Sequence, residues 1–229
     1  MDKKSADVGP EARSTSGVGR VVTVNVGDVR VIEWLGRTWT TAIWKSPVGG
    51  RVALRGVNLA GDNQADHEVH GGPDKAVYAY AREDAEWWES QLGRAVEPGS
   101  FGENLTLEGI AVTDALIGER WKIGSALLEV AQPRVPCFKL GARMNDQDFP
   151  RRFAEAGRPG AYLRIIQEGD VGERDELRVV HRPRYDLTVG EVAHVYHHDH
   201  SRVDRLLGAP ELAEGWQAWA EKIRRHQKP

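Results

Sequence analysis

The sequence predicts a mainly β protein, a barrel or sandwich, that ends in a small helical module. Three observations carry this. Apolar and polar residues alternate along many short runs, the two-residue period of a strand. Glycine and proline break those runs repeatedly, with 25 Gly and 11 Pro in 229 residues. From about Tyr185 the pattern changes to capped, helix-period segments, so the expected units are a leader (1–19), a β body (20–184) and a three-helix module (185–229).

The opening MDKKSADVGPEARSTSGVG, residues 1–19, has Gly, Ser, Pro and charge but no apolar h-region. It reads as a flexible leader, not a signal peptide. VVTVNVGDVRVIEWLG alternates from Val22 to Val31 and then turns. TWTTAIWKSPVGGRVALRGVNLAGD continues with short β runs broken by Pro47, Gly49-Gly50, Gly56 and Gly61. KAVYAYA (75–81) is a strand, and REDAEWWESQLG (82–93) is a helix, acidic at its start and stopped by Gly93. FGENLTLEGI, ERWKIGSALLEVAQ and AYLRIIQEGDVGERDELRVVHR are strands with tight glycine turns, and CFKLGARMNDQDFPRRFAEAG is one or two short helices interrupted around Phe149-Pro150.

In the tail, Thr188 and Glu191 stand at capping-box spacing and open a helix. SRVDRLLG is a second short helix with Ser201 as its N-cap. PELAEGWQAWAEKIRRHQ is a third, with Leu212, Trp216, Trp219 and Ile223 on one face and charges that follow the helix dipole.

Composition excludes several classes of function. Charged residues make up 28% and the formal net charge is −3, so no global basic field argues for a nucleic-acid polymer as partner. No apolar run approaches the roughly 20 residues that span a bilayer. A single cysteine cannot form an intramolecular disulfide, and the expected compartment is the cytoplasm.

Three clusters carry candidate chemistry. In GDNQADHEVHGGPDKAV (61–77), His67 and His70 precede Gly71-Gly72 and Lys75. A Gly-Gly turn can aim backbone N–H groups at an anion, with Lys75 adding a cation; a plain loop entering a strand is the other reading. The two histidines are too few for a catalytic zinc, which takes three protein ligands. In PGSFGENLTLEG (98–109), Asn104 beside Glu103 either closes a turn or reads the polar edge of a ligand. In QPRVPCFKL (132–140), Cys137 follows a strand and precedes a helix, with Pro133 and Pro136 fixing the loop. Arg134 and Lys139 nearby favour the thiolate, which is a nucleophile and a soft metal ligand. A buried core cysteine is the competing reading. The stretch HVYHHDH (194–200) is read as a solvated helix end, where cationic His is favoured.

Together AIWKSPVGG, GDNQADHEVHGGPDKAVYAY, PGSFGENLTLEG, IGERWKIGSALLEVAQPRVPCFKL and the helical tail resemble the MOSC family, named for the C-terminal domain of molybdenum cofactor sulfurase, and within it the bacterial YiiM-like branch. The resemblance runs from Thr40 to Gln227. It implies a MOSC-type β-barrel core with peripheral helices, followed by the three-helix unit known as the 3-alpha domain. It also implies binding of molybdenum cofactor, the pterin-dithiolene complex of the metal. The family's functional positions fall on Cys137, as catalytic residue and metal thiolate, and on Arg134, Asn104, Lys75, His70, His67, Glu103, Lys139 and Lys45, with Gly71 and Gly72 as backbone donors. Members that bind the cofactor this way reduce N-hydroxylated compounds, hydroxylaminopurines and amidoximes, with electrons from a separate redox protein. The alternative is a cofactor or sulfur carrier without such turnover.

Overall fold

The computed structural model describes residues 17–63 and 71–227. In chain order the elements are β1 (Val18–Val26), β2 (Arg30–Trp34), β3 (Arg37–Thr41), β4 (Ser46–Val48), β5 (Arg51–Arg55), β6 (Asn58–Leu59), β7 (Val77–Ala81), α1 (Arg82–Leu92), β8 (Leu105–Glu108), β9 (Arg120–Ile123), β10 (Ala126–Pro133), α2 (Phe138–Met144), α3 (Phe149–Glu155), β11 (Ala161–Gln167), β12 (Gly169–Gly172), β13 (Glu176–His181), α4 (Val189–His197), α5 (Asp204–Leu207) and α6 (Glu214–Gln227).

Seven strands close a barrel in the order β13-β9-β10-β11-β7-β8-β1, with β1 pairing back onto β13. Closure removes the sheet edges that a sandwich would leave. Every barrel pair is antiparallel except β7–β8, whose strands run parallel and are joined through α1. β1 pairs with three strands: with β8, where the register shifts between Val21 and Thr23, with β13 through its first residues and with β4 through its last. The alternation read from Val22 to Val31 is therefore two strands. Gly27 divides them, because its backbone passes so close to Trp44 that a Cβ would lie 2.5 Å from the Trp44 carbonyl oxygen. β2 and β3 form a separate hairpin whose turn residues Leu35 and Gly36 both have positive φ, 51° and 72°, the twist that two-residue hairpin turns require.

β7 is buried on both faces. Val77, Ala79 and Ala81 enter the barrel core, while Tyr78 and Tyr80 enter a second, aromatic core with Trp88, Phe101, Phe149 and Phe153. That second core packs α1, α2 and α3 against the outside of the barrel and sets the loop that carries Cys137. α1 ends as read, with Gly93 left-handed at φ 63° and donating to the Glu89 carbonyl. The break between α2 and α3 comes earlier than the proline: Asn145 ends α2 at φ 54°, and Pro150 sits in the first turn of α3, where its missing N–H costs nothing.

The tail matches its first helix and departs in the next two. The Glu191 amide donates to Thr188 Oγ1 at 3.0 Å, so the expected cap is present. Ser201 is not a cap. Asp199 takes that place, accepting from the Ser201 amide at 3.2 Å, and a 3-10 turn (His200–Arg202) leads into the short α5. α6 starts at Glu214, four residues later than Pro210, because residues 210–213 form a turn. The tail does not stand apart from the barrel. Leu187, Val189, Val192, Val195, Leu206 and Trp216 belong to the same apolar core as Trp121 and Leu128. Among the described residues no helix is long and apolar enough to cross a membrane.

Candidate functional site

β7 and β10 deliver the central residues of a cleft beside the barrel. Tyr78 comes from β7, Asn104 from the loop before β8, and Arg134 and Cys137 from the chain leaving β10. The cleft measures about 600 Å³ with the space at its open mouth included. Lys45, Lys75, Arg134 and Lys139 line it, against one carboxylate among the described residues, Asp62.

Asp62 and Asn104 organise one wall. Asp62 Oδ1 accepts from Lys45 Nζ and, at 2.9 Å, from the Gly27 amide. Its Oδ2 accepts from Asn104 Nδ2 at 3.0 Å. Asn104 also donates to the Asn25 carbonyl at 3.3 Å and accepts from the Tyr78 amide at 3.1 Å. All three side chains are buried. Burial pulls the Lys45 ammonium below its ordinary pKa, and Asp62 opposes that shift. A buried pair of this kind contributes little net stability while intact and costs several kcal/mol when one partner is removed. Its consequence for the cleft is that Lys45 arrives already neutralised.

Arg134 does not. It is buried, donates to the Phe101 carbonyl, and lies 5.0 Å from the centre of the Tyr78 ring. Among the described residues it has no carboxylate partner. Burial works against its charge, but the facing Tyr162, Tyr78 and Cys137 hold its pKa above the ordinary value. Gly102 makes this approach possible: at φ 78°, a Cβ there would lie 2.7 Å from Ile43 and 3.5 Å from Arg134 Nη1. The Tyr78 and Tyr162 rings lie 4.9 Å apart, tilted at 36°, and burial raises both phenols, so both stay protonated. Cys137, half-buried, precedes α2 and faces the cleft with Lys139 from the helix's first turn.

Of the residues named from the sequence, Lys45, Lys75, Asn104, Arg134, Cys137 and Lys139 come together. Glu103 does not line the cleft. It turns back into its own loop, accepting from the Gly99 amide (2.6 Å), the Phe101 amide (3.0 Å) and Thr106 Oγ1 (3.1 Å). Gly71 and Gly72 are not among the lining residues either; Gly72, at φ 92°, opens the 3-10 turn that ends at Lys75. His67 and His70 lie outside the described residues. Sequence reasoning passed over Asp62, Tyr78 and Tyr162. Asp62 stands inside a quoted motif, and its position opposite Lys45 needs the tertiary fold to become visible. Among the described residues no three His, Cys, Asp or Glu side chains are grouped to hold a metal ion, the His194–His198 stretch included.

A second cleft adjoins the first and shares Lys75, Cys137 and Tyr162 with it. Its far wall is Tyr196 from α4 and Trp216 and Trp219 from α6. The helical tail, read from the sequence as a unit following the β body, thus walls a cleft that reaches the cysteine.

The chain is similar to several known proteins. The model of the MOSC domain matches residues 66–178. Protein YiiM of Escherichia coli is 34% identical over 190 residues, covering 80% of this chain and 84% of that protein. A protein named Reductase from Gibberella moniliformis is 32% identical over 155 residues, 65% of this chain but 27% of its own length. The crystal structure of YiiM from Geobacillus stearothermophilus superposes with a TM-score of 0.75 at 32% identity, covering 90% of this chain and 98% of that one.

Proposed function

The chain belongs to the MOSC domain family, in its YiiM-like branch, and on that premise we propose that it binds molybdenum cofactor and reduces N-hydroxylated compounds. The observation that carries this reading is the pairing of half-buried Cys137 with Arg134, a buried cation that has no carboxylate among the described residues. The donor set fits a metal that arrives already chelated: one thiol, several cations and no cluster of three protein ligands among the described residues. Arg134, Lys75 and Lys139 would hold the phosphate of the pterin, and Cys137 would supply the protein sulfur. When bound, the cofactor supplies the two-electron chemistry.

The net reaction cleaves an N–O bond. Two electrons and two protons turn an N-hydroxyl group into N–H and release water, the electrons coming from a separate redox protein. Lys75 and Tyr162 are the proton-bearing side chains that both clefts share, with the Tyr162 phenol kept protonated by burial. On this reading the reaction runs in the cytoplasm, which the single cysteine supports, with a small molecule and not a nucleic-acid polymer or membrane as its partner.

The test is metal and pterin analysis of protein made in cofactor-replete cells, beside turnover of benzamidoxime with a viologen reductant. Cofactor should co-purify. Cys137→Ser, matched for pterin content, should lose at least a hundredfold in turnover, because a hydroxyl is a hard, protonated replacement for a thiolate. Cofactor loading without turnover in the parent would indicate a carrier instead, and a parent without cofactor would overturn the reading.

A further inference from the structure

We propose that the second cleft holds the ring of the substrate, and that α6 makes the enzyme selective for flat aromatic or heteroaromatic N-hydroxylated compounds over aliphatic ones. This rests on the reading of the first cleft as the cofactor site.

The two clefts differ in chemistry where they meet. The first is lined by cations, which suits an anionic group. The second is walled by three aromatic rings of the tail, facing Pro133, Val135 and Pro136. Val135 is an apolar side chain left 41% exposed at this wall. The one neutral amide present, Gln132, is engaged at both ends: it accepts from Trp216 Nε1 at 2.6 Å and donates to the Asp74 carbonyl at 3.0 Å. The wall therefore selects by shape and apolar contact.

The shape is an aromatic corner. Trp216 and Trp219 stand 6.1 Å apart at 79°, and Tyr196 lies 5.1 Å from Trp216 and 5.0 Å from Trp219 at steep angles to both. Rings set edge-to-face offer an incoming ring both a face to stack on and an edge to meet, the two arrangements that aromatic quadrupoles favour. The Trp216 indole is pinned by Gln132, so this corner is fixed before a ligand arrives. Trp219 is half-buried and makes no such bond among the described residues. Cys137 stands at the junction, so a ring seated against the tail carries its N–O substituent toward the first cleft.

The experiment compares benzamidoxime with acetamidoxime, which share the reacting group and differ only in the ring. Affinity for the full-length protein is measured by calorimetry, which needs no turnover. Trp219→Ala should lower the ratio of benzamidoxime to acetamidoxime affinity roughly fivefold, the low end of what stacking on one aromatic side chain supplies. The ratio of kcat/KM should fall with it. Trp219→Phe should restore most of both, which separates the ring from any general loosening of α6. A ratio unchanged in Trp219→Ala, or a parent that does not bind benzamidoxime, overturns the proposal. Ring-dependent binding without turnover would leave the cleft assignment standing and sink the reductase reading.

Discussion

Glu103 and Asn104 are neighbours with opposite fates, and the contrast shows what burial does to a polar side chain. Asn104 spends its amide on Asp62, Asn25 and Tyr78 and so holds the cleft wall in place. Glu103 is equally buried but accepts only from its own loop and from Thr106. Burial raises its pKa above the ordinary glutamate value, while the backbone N–H groups, and the charge of Lys45 and Arg143, pull it back. The sign of the pH effect follows. The folded state binds this proton more tightly than the unfolded chain, so the contribution is full below about pH 4.5 and is lost as pH rises through the folded pKa. Glu103→Gln removes that step. Unfolding free energies of parent and variant, followed by urea from pH 4 to 7, should diverge with pH, the parent losing stability relative to the variant. Parallel curves would mean that Glu103 titrates as it does in the unfolded chain.

At the scale of elements, the loop between β10 and α2 is where barrel, aromatic core and tail converge. Gln132 ends the regular part of β10 and links Trp216 of α6 to the carbonyl of Asp74, next to Lys75. The Asp74 carboxylate pairs with Arg164 of β11, and Arg164 donates to the Glu211 carbonyl at 2.7 Å. The tail is thereby fastened to the turn that carries Lys75 by hydrogen bonds as well as by apolar packing. Gln132→Leu should keep the volume but leave the buried indole N–H of Trp216 without an acceptor. The expected loss is about 1–3 kcal/mol in denaturant unfolding, the cost of an unsatisfied buried donor. The tryptophan near-ultraviolet dichroism should change as well, since the indole would no longer be held. A stability within experimental error of the parent would show that the bond contributes nothing net.

For the whole molecule, the decisive event is closure of the barrel. Val18, Gly19 and Arg20 pair with Arg178, Leu177 and Glu176, joining the first strand of the barrel to its last. Contacts of such separation carry the full entropy of loop closure before they return anything. Deleting residues 1–20 should therefore leave an open-edged sheet. The cost should be about 2–3 kcal/mol, a few ladder bonds at ~1 kcal/mol net each, read as a lower urea midpoint and a greater tendency to aggregate.

The sequence by itself determined the period of the strands, most turns, the Thr188 cap and the Gly93 stop. These are local events, decided by side-chain alternation, φ preferences and short-range hydrogen bonds. It also marked Cys137, Arg134, Lys75, Asn104, Lys45 and Lys139, because their motifs are continuous stretches of chain that resemble one family. Only the tertiary structure decided that Asp62 neutralises Lys45 while Arg134 keeps its charge, since which carboxylate meets which cation depends on loops that the fold brings together. It alone turned Glu103 into its own loop and carried the tryptophans of α6 to the mouth of the cysteine cleft. The pattern of Trp216 and Trp219 states only that one face of that helix is apolar. What the face packs against, and what space it leaves open, is set by the surface that the folded barrel presents to it.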